Sequence, residues 1–171
     1  MHELFKKRRS VRDFQEKEIT DFQIKQILTA AMVAPSGRHA CPWEFILVKD
    51  PKTKDKLSKL RRYGRFIKDA PIAIVIVGKE KESNLWVQDC SLAAGHIYLE
   101  ATNQGLGTCW VNIKDSKTDD GKDAEQAVKE ILGIPDDLRV LCIMPIGHPR
   151  GEVQPHTEEE YRDEIVHREK W

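Results

Sequence analysis

Hydrophobic positions along the chain change spacing several times, and the changes mark out its elements. Thr20-Asp21-Phe22-Gln23 has the form of a capping box, and Phe22, Ile24, Ile27, Leu28 and Ala31 follow near helical spacing. That predicts a helix to about residue 33, stopped by Pro35-Ser36-Gly37. Residues 43–48 form a short apolar run limited by Pro42 and Asp50-Pro51, as a buried strand would be. Asp50 and Pro51 then make an N-cap and N1 pair for a helix through about residue 60, before a polar loop at 61–65. Residues 71–78 are rich in Ile and Val with no polar alternation, which predicts a central strand covered on both faces.

From 84 to 103 runs the longest helical candidate, with only Asp89 and Glu100 charged. A helix apolar nearly all round must be covered on every side, and part of that cover can come from a second subunit. Gly105 supplies the helix stop, residues 107–111 read as a strand, and 114–122 is turn-rich and polar. A helix at 123–132 closes on Gly133 and Pro135, and 140–146 is the last strand, ending at Gly147-His148-Pro149. The tail after Arg150 is polar until Ile165-Val166-His167 and too poor in apolar residues to fold on itself, which points to docking against a partner subunit. Helices and strands do not alternate regularly, so the expected class is α+β: a central, mostly antiparallel sheet flanked by helices. A doubly wound fold is the alternative. Neither G-x-G-x-x-G between a strand and a helix nor G-x-x-x-x-G-K-S/T occurs.

The 171 residues fit one domain, 1–171. Lys plus Arg balance Asp plus Glu, 28 against 28, so no overall positive field would hold nucleic acid. The first residues lack an apolar signal core, and no stretch approaches the about 18 apolar residues of a membrane span. The expected location is cytoplasmic, with no membrane contact. Cys41, Cys90, Cys109 and Cys142 are dispersed without metal-ligand spacing, so no metal is expected and the thiols read as free.

The segment Lys7-Arg8-Arg9-Ser10-Val11-Arg12-Asp13-Phe14 sets cations and a hydroxyl beside apolar Val11 and Phe14. Guanidinium forks grip phosphate oxygens, so the segment suits a phosphorylated ligand, and the alternative is a basic surface turn. Together with Pro35-Ser36-Gly37-Arg38-His39-Ala40-Cys41-Pro42-Trp43 and Gly105-Leu106-Gly107-Thr108-Cys109-Trp110, in this order and spacing, it resembles the FMN-dependent nitroreductase family. The P-S-G-x-H-x-x-P-W form is similar to the branch that includes iodotyrosine deiodinases. The closing Val166-His167-Arg168-Glu169-Lys170-Trp171 looks like the family's terminal V-H-x-x-K-W.

The resemblance implies a homodimer with two non-covalent FMN sites at the subunit interface and C-terminal arms exchanged between partners. It implies that Arg8, Arg9, Ser10 and Arg12 hold the flavin's phosphate, ribityl chain and pyrimidine edge, and that Pro35, Ser36, Gly37 and His39 pass close to its ring. Trp110, Val111 and Asn112 match positions that line the ring. Nitroreductases usually complete the phosphate cradle with a Lys or Arg before the terminal segment, where this chain has Glu158-Glu159-Glu160; either Arg150, the favoured substitute, or Arg162 takes that place, or the tail follows another path and FMN binds more weakly. The implied activity is electron transfer from NADH or NADPH to a small electron-poor acceptor by a ping-pong mechanism. The chemistry is the cofactor's, so no catalytic acid or base is assigned. Reductive dehalogenation, or flavin binding without turnover, are the alternative readings.

Overall fold

The strand at Ile72–Gly78 is the pivot of the architecture, because every one of its seven residues is buried. A computed structural model describes residues 1–171. In chain order the elements are α1 (Glu3–Lys7), α2 (Asp21–Met32), β1 (Trp43–Val48), α3 (Pro51–Ser58), β2 (Ile72–Gly78), α4 (Trp86–Asn103), β3 (Gly107–Thr108), β4 (Val111–Asn112), α5 (Ala124–Leu132) and β5 (Arg139–Gly147). The sheet runs β1-β2-β5-β3, with β4 also pairing β5, and every pairing is antiparallel.

Alternation along β2 divides the core in two. Ile72, Ile74 and Ile76 point toward α2 and α4, in a cluster with Ile24, Ile27, Cys90, Ala93 and Ile97. Ala73, Val75 and Val77 point the other way, toward Leu57 of α3 and Ala124 and Val128 of α5. A strand must be apolar on both faces when helices cover both, and each fully buried Ile or Val contributes about 1.5–3 kcal/mol. On β5, Leu141 and Cys142 both join the α2/α4 side because a bulge facing Ile76 and Val77 inserts one extra residue there.

Helix ends follow local chemistry. The Thr20 hydroxyl accepts the Gln23 amide at 3.2 Å while the Gln23 side chain accepts the Thr20 amide at 3.1 Å, completing the capping box. Asp50 caps α3 through the Thr53 amide, Asp123 caps α5 through the Gln126 amide, and Gly133 ends α5 at φ 68°.

Three expectations change in detail. The longest helix begins at Trp86 rather than 84, and the expected polar loop at 61–65 is instead the start of a run, residues 62–69, that winds into 3-10 turns and buries Gly64 and Ile67. The expected strand 107–111 breaks into β3 and β4. The register that sets Thr108 against Ile146 and Val111 against Ile143 brings Cys109 opposite Pro145, which has no N–H to give, so the ladder lapses there. Trp110 turns its amide to Tyr98 of α4 instead. No helix is long and apolar enough to cross a membrane. On α4, Leu92 stays exposed, and residues 151–171 lie on the surface with only His156 half-buried.

Candidate functional site

Residues 8–14 are extended, and their apolar members fix the polar ones in place. Val11 and Phe14 are buried, the Val11 amide donates to the Thr108 carbonyl at 3.0 Å, and Ser10 bridges Thr108 in parallel. Around these anchors Arg8, Arg9, Ser10 and Arg12 remain exposed or half-buried. Gly107 makes the seating possible: a Cβ there would collide with the Cβ of Val11 and both of its methyls. The segment is thus held against the sheet at β3 with its cations outward.

Tyr98 organises the outward side. Its hydroxyl accepts the Trp110 amide at 2.6 Å and lies 3.5 Å from Ser10 Oγ, and the Arg8 guanidinium sits 5.5 Å from its ring centroid. Burial pushes the Tyr98 phenol and the neighbouring Cys109 thiol above their ordinary pKa values, so both stay protonated at neutral pH. Carboxylate partners of arginine are confined to Arg139, Arg150 and Arg168. Arg8, Arg9 and Arg12 form no ion pair, Glu160 acting on Arg9 only from a distance, which leaves their charge for an anion.

The Pro35–His39 piece is built differently. Ser36 accepts the Cys41 amide at 3.0 Å through its hydroxyl, the His39 and Ala40 amides close a 3-10 turn over Gly37–His39, and the Gly37 amide donates to Asp89 Oδ1 at 2.9 Å. Arg38, His39 and Cys41 all have φ between 45° and 57°, a region that costs each such side chain about 1–3 kcal/mol. Asp89 is 3% exposed and also accepts from Ser83 Oγ at 3.1 Å. His39 itself is exposed, 3.9 Å from Cys41 Sγ.

One chain therefore brings together only part of what the sequence proposed. Arg12, Trp110, Val111 and Asn112 share a cavity of about 420 Å³, whereas Gly37 and Arg38 line a separate one with residues 80–85. Both groups are tied to α4, through Tyr98 and Asp89, and nine residues of helix set them about 13–14 Å apart along its axis. Within the first group Val111 buries its side chain in the core, and Asn112 is held at both ends of its amide: its Oδ1 accepts from Trp110 Nε1 and its Nδ2 donates to Lys114 O and Ser116 Oγ.

Arg150 is engaged at the Asp13–Phe14 end of the strip. It donates to the Phe14 carbonyl at 2.8 and 3.2 Å and pairs with Asp13 at 3.2 Å. The residue at Arg8 is His156, whose Nε2 lies 3.0 Å from the guanidinium while its Nδ1 meets Glu160 at 2.7 Å. That hydrogen bond holds the Glu160 carboxyl below its ordinary range. His156 and Tyr98 are the residues that motif reading missed. The spacing of His156 and Glu160 shows a local pair, but nothing in the sequence places either near Arg8.

Chemically, the strip can grip a phosphate, and the cavity beside it offers aromatic walls and cationic edges to a planar ligand. Comparisons with known proteins agree on the class. The model of the Nitroreductase family matches residues 5–62 and 58–148. Over 169 residues the chain is 34% identical to a protein of Archaeoglobus fulgidus provisionally named NADH dehydrogenase/NAD(P)H nitroreductase, covering 96% of this chain and 94% of that one. It is 26% identical to the iodotyrosine deiodinase of Thermotoga neapolitana over 174 residues, covering 87% and 88%. Among solved structures, the FMN-dependent nitroreductase of Clostridium difficile R20291 superposes with a TM-score of 0.94 at 35% identity and 98% coverage of both chains. A family pattern that spans most of the sequence, on a fold that solved members share throughout, leaves one assignment: this chain belongs to the nitroreductase family.

Proposed function

We propose that the chain is an FMN-dependent oxidoreductase that works as a homodimer. It draws reducing equivalents from NADH or NADPH and delivers them to a small electron-poor acceptor in two alternating half-reactions. The observation that carries this reading is the strip Arg8, Arg9, Ser10 and Arg12, pinned to β3 by Val11 and free of carboxylate partners. A dianionic phosphate neutralises two such guanidiniums, each charge-assisted bond contributing about 1.5–3 kcal/mol.

Bound flavin would supply hydride acceptance and release, and the protein's part is to seat and bias it. Arg8 and Arg9 would hold the phosphate, Ser10 the ribityl chain, and Arg12 the pyrimidine edge, where a cation favours the reduced, anionic ring. His156 stands on Arg8 and is the group that would adjust the cradle in place of the expected Lys or Arg. Trp110 and its locked neighbour Asn112 would wall the ring. The Pro35–His39 loop faces a different cavity of the same chain, so its contact with the ring would come from a second copy, and the exposed Leu92 of α4 and the surface tail are the faces such a copy would cover.

Purification and spectroscopy test this. The chain should elute as a dimer, carry or take up FMN stoichiometrically, bleach on anaerobic addition of reduced nicotinamide, and give parallel double-reciprocal plots. Protein that takes up no FMN would sink the proposal. Flavin that a chemical reductant bleaches but nicotinamide does not would mark a binding module without turnover. The deiodinase relatives favour one further reading, reductive dehalogenation, and halide release from a halogenated phenol measured beside nitroarene reduction separates the two.

A further inference from the structure

The about 420 Å³ cavity next to Arg12 is charged in a way that flavin binding does not use up. Arg12, Arg61 and Arg62 all line it, and no carboxylate does. None of the three has an acidic partner anywhere, since arginine pairs occur only at Arg139, Arg150 and Arg168. Three guanidiniums around one small cavity repel each other, and only a bound anion or solvent relieves that. The walls between them are Tyr63, Phe66 and Trp110.

Two of the cations are held ready. Arg61 donates through one terminal nitrogen to the Asn112 carbonyl, and Asn112 is itself fixed by Trp110, Lys114 and Ser116, so the remaining face of the guanidinium is oriented before any ligand arrives. Arg62 lies 4.7 Å from the Tyr63 ring centroid and donates to its hydroxyl at 2.6 Å. The turns that carry them are anchored by buried Ile67. Aromatic walls with a forked cationic rim match a flat ring bearing a carboxylate: the ring enters between the aromatics and the carboxylate meets the guanidinium forks.

Resting on the flavin reading above, we infer that this cavity is an acceptor site selective for small aromatic carboxylates, with Arg61 and Arg62 as the specificity-determining residues. Arg12, Trp110 and Asn112 are common to the proposed flavin site and to this cavity, which sets the acceptor ring against the flavin, with Arg61, Arg62, Tyr63 and Phe66 on its far side. For a nitroarene acceptor, each nicotinamide oxidised delivers two electrons, which with two protons convert the nitro group to nitroso and water.

The test uses the FMN-loaded protein with 4-nitrobenzoate and, as the uncharged counterpart, 4-nitrobenzyl alcohol. The native enzyme should prefer the carboxylate by about tenfold or more in kcat/KM at low salt, the equivalent of one charge-assisted hydrogen bond, and the preference should shrink as salt rises. Arg62→Gln and Arg61→Gln should each raise KM for the carboxylate about tenfold and move KM for the alcohol far less. Benzoate, which accepts no electrons, should perturb the flavin absorption of native protein and do so more weakly in both variants, a readout independent of turnover. Equal kcat/KM for the two acceptors, or equal losses on both in the variants, would overturn the inference. So would a variant that loses its flavin, which assigns the arginines to the cofactor, or one that raises KM for NADPH alone, which assigns them to the donor. If flavin is bound but neither acceptor is reduced, the proposed activity fails, and the benzoate titration still decides the anion site.

Discussion

The Tyr98 hydroxyl accepts the backbone amide of Trp110 at 2.6 Å, so one helix side chain occupies the place of a missing sheet hydrogen bond. It is also 3.5 Å from Ser10, so the same atom lies between the sheet gap and the cationic strip. Tyr98→Phe keeps the ring under Arg8 and leaves the Trp110 amide without its partner. The expected loss is about 1–3 kcal/mol, read as a lower denaturant midpoint, with FMN affinity reduced as well. An unchanged midpoint would show that the amide finds another acceptor.

Gly107→Ala tests how the strip is seated. An added methyl meets the Cβ of Val11, which cannot rotate away, so the strand carrying Arg8 to Arg12 must shift outward. Stability should fall by about 1–3 kcal/mol and FMN affinity by roughly tenfold or more. Gly105→Ala is the contrast. At φ 70° with open space around it, it should cost about 1–2 kcal/mol while sparing FMN affinity. Equal effects on FMN would argue against Val11 as the anchor.

Asp89 holds the strained loop at the other end of α4. Removing its carboxylate in Asp89→Ala leaves the Gly37 amide unpaired and frees Arg38, His39 and Cys41 to leave their positive φ values. Hydrogen exchange at the Gly37 amide should accelerate by at least about tenfold, and Asp89→Asn, which retains an acceptor oxygen, should fall in between. Full protection in Asp89→Ala would mean that the turn holds itself.

The strip's chemistry could be read from residue order, because Val11 and Phe14 sit within the same few positions as the cations they seat. Caps at Thr20 and Asp50, the helix stop at Gly133 and the two-faced burial of β2 were legible for the same reason: each depends on neighbours a few residues away. What could not be read depends on distant pairs. The break between Thr108 and Val111 needs Pro145 across the sheet, Arg150 is claimed by Phe14 and Asp13, and His156 reaches Arg8 from 148 residues away. Asp89 looked like one of two stray charges on an apolar helix, and its purpose appears only when Gly37 is seen above it.

Alkaline pH should weaken the fold through its buried thiols. Burial raises Cys90 from 9.0 to about 12 and lifts Cys142 well above 9.0. Above pH 9.0 the unfolded chain ionises these thiols while the native one keeps them protonated, so stability is intact below that pH and declines above it. Each thiol removes about 1.4 kcal/mol per pH unit until its folded pKa is reached. Lys54, whose ammonium burial pushes below 10.5, acts with the opposite sign. Comparing the pH slope of the denaturant midpoint between Cys90→Ala and the native chain isolates the thiol, and the variant's slope above pH 9.0 should be shallower.

Strand order has a consequence for biosynthesis. The last strand to leave the ribosome, β5, lies between β2 and the short pair β3 and β4, so nothing joins the two sides of the sheet until residue 147 has emerged. Residues 8–12 rest on β3, and β3 has no strand to rest on before then. Residues 8–12 therefore settle only after a strand more than a hundred residues further along has been made, and until then the nascent chain has no fixed strip of outward-facing cations.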